Sequence, residues 1–394
     1  MFFHSESYAP SFLAKQGSLY PSQTYGEGEV ESLGLPEKIK QIEEEMKKTQ
    51  INKKTEHHIG LLKAKLARLH EELEASTSKG GGPAFEIRKG GDATVVLIGL
   101  PSVGKSTILN RLTNAKSKVA AYAFTTLTVV PGILRLNGAD IQILDLPGII
   151  SGASSGRGMG RRVLSVARNA DLVLLVLDVF QPGQVQLLKN ELHAMGIRID
   201  QKPPDVVINR GSKGGLALTT SVKLTKLTPA TVKGIVEAYG ISNGGILVRE
   251  DVTDEQLIDV LTGNRRYVSS LVVLNKVDLV NEQYLAAAKK QIGSDFVPIS
   301  AEKGLNMDVL ADRIWETLNF IRIYLKRPDG DADFEKPLIL PSGSTLRDVC
   351  KKISPRFVEG AKYAFVSGSS VKFTGQRVSL DHIPADKDVV TIMR

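Results

Sequence analysis

The sequence predicts an α/β protein: a mostly parallel sheet with helices on both faces, interrupted by a small inserted α+β unit. A helical hairpin precedes it and a small mixed sheet follows. Three observations carry this. Short apolar strands at 94–100, 171–179, 270–277 and 295–299 alternate with helical stretches, as in parallel strands joined by crossover helices. The stretch DLVLLVLDV at 171–179 is continuously apolar, which suits a strand buried on both faces. From Asp178 to Ser270 run about ninety residues, where one crossover unit takes about thirty, so the surplus must have its own fold.

Composition bounds the rest. The chain has 394 residues and is 42% apolar, enough for a large core and too apolar for wholesale disorder. No uncharged apolar run reaches the roughly 18 residues of a membrane-spanning helix, so no membrane role is expected. Residues 1–20 lack a basic stretch followed by an apolar one, so no secretory signal is expected either. The lone Cys350 excludes an internal disulfide and a cysteine zinc cluster, and a reducing, cytoplasmic setting fits it. The six histidines, His57 and His58 included, show no metal-ligand spacing. A net charge of +8 is mild for this length; it permits RNA as a partner without requiring it, and no DNA role is expected.

Taken in order, residues 1–34 are rich in Ser, Gly, Tyr and Pro and read as a disordered tail. Within 35–80, Ile39, Ile42 and Met46, then Leu62, Leu66, Leu69 and Leu73, mark one apolar face on each of two helices. Asn52 and Thr55 are turn and cap types between them. This hairpin is either a solvated element packing on its own protein or a docking arm for a partner or RNA; the pattern leaves both open. STSKGGGP at 76–83 reads as a flexible linker. The sheet domain is expected over 90–180, resuming over 253–325, with Asn137-Gly138 as a strong hairpin turn. The inserted unit, 181–252, has strands at 206–209 and 216–222 and a helix from Thr228-Pro229 to Gly240. A second helix, with the capping pair Thr253 and Gln256 and a stop at Gly263, returns the chain to the sheet. Residues 326–394 form the last unit, with strands at 338–340, 363–367 and 389–393 and a helix over 344–353. Its Lys351, Lys352, Arg356 and Lys362 are expected on a solvent face that could dock on rRNA.

The chemistry lies in the sheet domain. Gly99, Leu100, Pro101, Ser102, Val103, Gly104, Lys105 and Ser106 match G-x-x-x-x-G-K-[ST] between a strand and a helix, the context of a phosphate-binding loop. Backbone N–H groups there cradle phosphate oxygens, and Thr107 continues the contact. Lys105 is expected to reach β- and γ-phosphates, and Ser106 to hold Mg²⁺. Asp145, Leu146, Pro147 and Gly148 end the next core strand; Asp145 can hold Mg²⁺ through water, and the Gly148 N–H can sense a γ-phosphate. In the Phe124-Thr125-Thr126 loop, a threonine can close over Mg²⁺ while γ-phosphate is present; Thr126 is favoured over Thr125.

Asn275, Lys276, Val277 and Asp278 end the strand after the insert. A carboxylate at Asp278 can accept guanine N1–H and the 2-amino group, which adenine cannot offer, so the pair selects GTP and argues against an ATPase. Asn275 would brace the loop, the Lys276 stem would lie along the base, and the Ser300-Ala301 backbone would present an N–H to guanine O6.

With these residues in place, LPSVGKST, AYAFTTLTVVPGIL, DLPGIISGASSGRGMGRRV and NKVDL resemble the Obg superfamily of P-loop GTPases. TEHHIGLLKAKLARL, HAMGIRIDQKPPDVVI, REDVTDEQLIDVLTGNRRYV and KYAFVSG narrow the resemblance to the developmentally regulated GTP-binding proteins, over roughly residues 36–394. Residues 1–34 have no counterpart in that pattern, the loop at 209–213 is less basic, and the segment after Tyr363 lacks the usual tryptophan. The resemblance implies a G domain, an insert like the second domain of ribosomal protein S5, and a C-terminal TGS domain of β-grasp type. It also implies association with translating ribosomes, a DRG-family regulatory protein as partner, and stimulation by K⁺; Ser102 stands where K⁺-binding loops often carry Asn. Ile149 and Ile150 follow Gly148, so neither side chain can orient the attacking water as glutamine does in many GTPases. The glycines and serines of 152–162 suit a mobile switch, in which Arg157, Arg161 and Arg162 could contact phosphate, rRNA or a partner. Two functions follow: a ribosome-associated switch that hydrolyses GTP, or a nucleotide-gated RNA-binding scaffold in which hydrolysis is incidental.

Overall fold

The computed structural model describes residues 34–50, 55–78, 90–113, 130–146, 166, 169–293 and 295–393. The tail expected at 1–34 lies outside these residues apart from Gly34, as does most of the expected linker.

The central sheet has seven strands among the described residues. In chain order they are β1 (Ala93–Ile98), β2 (Val130–Leu136), β3 (Ala139–Asp145), β4 (Leu172–Asp178), β5 (Ile197–Ile199), β9 (Arg266–Asn275) and β10 (Phe296–Pro298). The spatial order is β10-β9-β4-β1-β3-β2, with β5 also on β9. All pairs are parallel except β2 with β3, the hairpin predicted from Asn137-Gly138. Both turn residues have positive φ, 52° and 84°, as the tight hairpin turn demands.

Strand side chains alternate between two cores. Val96, Ile98, Val173, Leu175 and Leu177 pack with Val185, Leu188 and Leu192 of α4 (Gln184–Ala194) and with Ala288 and Ile292 of α7 (Glu282–Ile292). Val95, Leu97, Leu172, Leu174 and Val176 pack with Ile108 and Leu109 of α3 (Lys105–Thr113) and with Leu310 and Ile314 of α8 (Met307–Leu318). Covering on both faces is why β4 carries no polar residue before Asp178.

The helical hairpin forms as α1 (Leu35–Lys48) and α2 (Glu56–Ser78). Helix α2 runs through Ser76–Ser78, so the start of the expected linker is helical. Of the two readings left open for this hairpin, packing on its own chain is observed. Ala64 is fully buried in the core of the inserted unit, with Leu61 and Ala67 packed against it. His57 Nδ1 meets Thr231 Oγ1 at 3.1 Å, Lys63 Nζ meets Asp254 Oδ2 at 2.9 Å, and Arg68 Nη1 donates to the Ala238 carbonyl at 3.0 Å.

The inserted unit has a three-stranded sheet, β6 (Val206–Arg210), β8 (Gly244–Val248) and β7 (Leu216–Thr220) in that spatial order. The central β8 was not expected; its Gly244-Gly245 start hides the strand pattern. Helix α5 (Pro229–Ala238) is capped by Thr228, and α6 (Asp254–Thr262) carries the reciprocal Thr253–Gln256 capping box and ends at Gly263 with φ 64°.

Two expected boundaries move. Helix α4 and β5 lie in 181–252 but belong to the large sheet, through its core and through β9. Helix α6 lies after residue 252, yet its Leu257 and Ile258 complete the insert core rather than the sheet core.

The C-terminal unit also starts earlier than 326. Strand β11 (Phe320–Leu325) pairs antiparallel with β12 (Leu338–Pro341) and parallel with β15 (Asp388–Met393). Strands β13 (Tyr363–Ser367) and β14 (Gln376–Val378) extend the sheet to the order β12-β11-β15-β13-β14. Helix α9 (Leu346–Ile353) packs Leu346, Val349 and Cys350 on one face of it, and the short α10 (Pro355–Gly360) follows. The basic cluster is not simply solvated: Lys351 pairs with Asp348 at 2.9 Å, and Lys352 crosses to Asp92, just before β1, at 2.8 Å.

A buried ion pair joins the insert to the large sheet. The Arg198 guanidinium on β5 donates twice to Asp259 on α6, at 2.6 and 2.7 Å, with only 6% and 4% of these side chains exposed. Arg265 and Tyr267 donate to the same carboxylate, and burial first, then the nearby Asp259 charge, pushes the Tyr267 hydroxyl up to about 12. Asp259→Ala leaves Arg198 buried without its anion and is expected to cost about 3–5 kcal/mol in denaturant unfolding. The double change Arg198→Met with Asp259→Leu should cost far less. Equal losses would show that shape rather than charge holds this junction.

Candidate functional site

Parallel register brings the chemistry to one edge. Leu97 lies beside Asp145, and Asp178 beside Asn275, so the loops leaving β1, β3, β4 and β9 meet at the carboxyl ends of their strands. Open parallel sheets bind ligands at such ends.

The 99–104 loop turns tightly. Ser102 has φ 63° and Gly104 φ 96°. A Cβ at Gly104 would stand 2.3 Å from Asn275 Nδ2, and one at Gly99 2.4 Å from the Val176 carbonyl oxygen. Gly104 is therefore demanded by close approach and by its positive φ, and Gly99 by close approach alone. Val103 is buried, whereas Pro101 and Ser102 are exposed.

Lys105 and Ser106 begin α3, with Thr107 beside them. The Lys105 ammonium donates to the Gly99 and Leu100 carbonyls at 3.1 and 2.9 Å. Burial lowers its pKa, opposed by the nearby Asp145 carboxylate. A desolvated ammonium of this kind gains strongly from an anion. Ser106 Oγ donates to Asp145 Oδ2, while Asp145 Oδ1 is buried with no hydrogen-bond partner.

Asn275 is 3% exposed and joins two loops. Its Nδ2 donates to the Val103 carbonyl at 2.8 Å, and its Oδ1 accepts the Ala301 N–H at 3.0 Å. The Ser300 N–H goes to the Leu305 carbonyl at 3.1 Å. Both N–H groups of the Ser300-Ala301 pair, one of which is expected to face guanine O6, thus have partners within the chain, and presenting one to a base means sharing or exchanging its bond. Hydrogen bonding, from the Ser300 side chain first and from Lys303 as well, holds the Asp278 carboxyl below its ordinary value, keeping it an acceptor.

Two partners were missed in the sequence. Lys276 adopts φ 68° and places its ammonium 2.6 Å from Asp178 Oδ2, while Asp178 Oδ1 accepts the Phe180 N–H at 3.0 Å. An acid ending a wholly apolar strand was the available signal. Lys303 Nζ lies 3.3 Å from Asp278 Oδ2, with no sequence signal beyond proximity to Ser300. Thr126 and Gly148, with Thr125, Ile149 and the 152–162 stretch, lie outside the described residues. Among the described residues no group of three or more His, Cys, Asp or Glu could hold a metal, and no helix is long and apolar enough to cross a membrane.

Residues 94–210 match a family model described as a 50S ribosome-binding GTPase, residues 213–320 the C-terminal region of that domain, and residues 321–394 a TGS domain. The chain is 50% identical over 364 residues to an uncharacterized GTP-binding protein of Methanocaldococcus jannaschii, covering 92% of this chain and 93% of that one. It is 46% identical to the developmentally-regulated GTP-binding protein 2 homolog of Dictyostelium discoideum, over 92% of this chain and 100% of that one. It is 45% identical to developmentally-regulated GTP-binding protein 1 of Xenopus laevis, over 92% and 99%. The chain belongs to the developmentally regulated GTP-binding proteins. It is a GTPase of that family, with a P-loop sheet domain and a C-terminal TGS domain. Among solved structures, the Schizosaccharomyces pombe YchF GTPase aligns with a TM-score of 0.42 at 12% identity, covering 78% of this chain and 99% of that one.

The Asp178–Lys276 pair yields a test in this GTPase. Asp178→Asn keeps an acceptor for the Phe180 N–H but removes the charge that fixes Lys276. GDP and GTP affinity should both fall about fivefold, on the scale of one partly buried charged hydrogen bond. In a Lys276→Ala background the same change should add almost nothing, as binding titrations of the double-mutant cycle will read. Additive losses would mean that Asp178 acts elsewhere.

Proposed function

We propose that this GTPase is a cytoplasmic, ribosome-associated switch acting in translation, binding in its GTP state and reset by hydrolysis. The observation that carries it is the match of the nucleotide domain, 94–210, to a model described as a 50S ribosome-binding GTPase. A sequence pI near 9.3 suits an RNA-rich partner. rRNA and a DRG-family regulatory protein are the proposed partners, and the unit boundaries are drawn at the three separate sheets.

The site residues take these roles. Gly99, Pro101, Ser102, Val103, Gly104, Lys105, Ser106 and Thr107 bind the phosphates. Lys105 supplies positive charge to the β- and γ-phosphates, and Gly148 and Thr126 respond to the γ-phosphate. GTPases of this kind use Mg²⁺, and this chain's residues fit it: the orphaned Asp145 Oδ1 and the Ser106 hydroxyl are hard oxygen donors, the preference of that ion. Ser106, Asp145 and Thr126 would hold it, and when bound it would neutralise charge on the phosphates. For K⁺, the loop offers the Ser102 hydroxyl and no carboxamide, so no step is assigned to that ion. Asn275, Lys276, Asp278, Ser300 and Ala301 take the base. With isoleucine at 149, the attacking water is oriented by backbone or by a group other than that side chain.

Asp278→Asn should trade guanine for xanthine selectivity, because an amide donates where the carboxylate only accepts. Competition of GTP and XTP for a fluorescent nucleotide reads this; unchanged GTP affinity would defeat the Asp278 assignment. For the ribosome role, sedimentation through a sucrose cushion should carry more protein down with a non-hydrolysable GTP analogue than with GDP, and less as salt rises. Equal pelleting with both nucleotides would overturn nucleotide control of binding, and no pelleting removes the ribosome role.

A further inference from the structure

We infer that Arg111 is a positioning residue for purine recognition, clamping the base-facing loop to the helix that carries the phosphate loop. This builds on the base-facing assignment of Ser300 and Ala301 proposed above. Arg111 sits in the last turn of α3, the helix that opens with Lys105 and Ser106. Its Nε donates to the Ala301 carbonyl at 2.9 Å, and its Nη2 donates to the carbonyl of Glu302. One planar guanidinium thus spans two consecutive carbonyls, a geometry that a lysine ammonium cannot reproduce.

Ala301 is held from both sides. Its N–H donates to Asn275 Oδ1 at 3.0 Å, from the β9 side, and its carbonyl is taken by Arg111, from the α3 side. Ser300 and Leu305 exchange reciprocal backbone bonds of 3.1 and 3.0 Å, closing the loop into a turn. Without Arg111 that turn keeps its closure, its tie to Asn275 and the packing of Ala301 in the core with Ile108 and Leu109, but loses its hydrogen bonds to α3. A hydrogen bond from this loop to a base weakens steeply with misalignment, so a small rotation about the remaining ties costs recognition of the base edge. Phosphate contacts, made by the other end of α3, are left in place. A cation in the last turn of a helix also favours the helix dipole, so some stability is lost in any Arg111 variant whatever the ligand. The discriminating quantity is therefore the preference between bases.

Dissociation constants for fluorescent GDP and ADP are measured on the full chain for the wild type, Arg111→Met and Arg111→Lys. In Arg111→Met, GDP affinity should fall about tenfold, mainly through faster release, with ADP affinity changed less than about twofold and kcat at saturating GTP kept within about twofold. Arg111→Lys should recover part of the GDP preference. Equal weakening of GDP and ADP, or none, overturns the clamp. If Arg111→Met does not fold, Arg111→Gln and Arg111→Lys carry the comparison: a GDP-over-ADP ratio between one and the wild-type value supports the clamp, and an unchanged ratio overturns it. A wild type without guanine preference overturns the base-site assignment itself, an outcome distinguishable from a failed clamp.

Discussion

The parallel register of β1, β3, β4 and β9 is the constraint on which the rest depends. It sets Asp145 beside Leu97 and Asn275 beside Asp178, so four loops from distant parts of the sequence leave one sheet edge together. The sheet can be parallel because helices cover both of its faces, and that cover favours apolar strands, β4 most completely. Thr94 of β1 and Gln142 of β3 are buried polar side chains within strands, but the polar groups of the candidate site stand at the strand ends. Asp145, Asp178 and Asn275 are each the last residue of their strand, the first positions where a side chain can leave the core. Asn275 then welds the edge together, since its buried carboxamide serves the phosphate loop with one end and the 300–301 turn with the other.

The outlying units are fastened differently. The hairpin helix α2 contributes apolar side chains to the insert core and so shares a fold with it. The insert and the large sheet meet through charge, with four donors converging on Asp259. Such a buried carboxylate contributes little net stability compared with an apolar contact, yet its donors fix direction where greasy packing would allow sliding. At the C-terminal unit both means are used. Ile339 of β12 is 2% exposed within the core shared with Leu97 and Ile108, while Lys352 reaches Asp92.

Much of this was legible in the sequence, for identifiable reasons. Continuous apolar runs announced β4 and β9, Asn137-Gly138 announced the hairpin, and the Thr253 and Gln256 pair announced α6. The loop 99–106 was readable because its glycines answer to backbone geometry. What escaped were features set by partners far along the chain. Strand β8 starts with two glycines and exists because β6 and β7 flank it. The three residues of β5 carry no period of their own; β9 recruits them. Strand β11 directly follows α8, and an apolar run there reads equally well as the end of a helix. Likewise, Lys276 could be placed near the base from its motif, but the carboxylate that pins it lies on another strand. Lys352 read as a free surface charge because Asp92 is far away in sequence.

The β2–β3 hairpin links the large sheet's loop edge to the C-terminal unit. At one end of β3 stands Asp145, bonded to Ser106 at the mouth of the phosphate loop. At the other end the Asn137-Gly138 turn meets the C-terminal unit, where a Cβ on Gly138 would stand 2.5 Å from Pro337 Cγ. Gly138 thus answers two demands at once, a positive φ for the turn and a bare Cα for the neighbour. Asp92 is held by the same hairpin, accepting the Asp140 N–H at 3.1 Å and donating its own to the Asp140 carbonyl at 2.7 Å, and it is this Asp92 that Lys352 grips. The two strands of seven residues are paired along their whole length, so the hairpin runs from Ser106 at the 99–106 loop to the edge of the TGS domain. A residue read from sequence as mere turn chemistry is, in the fold, one of the points where the two domains touch.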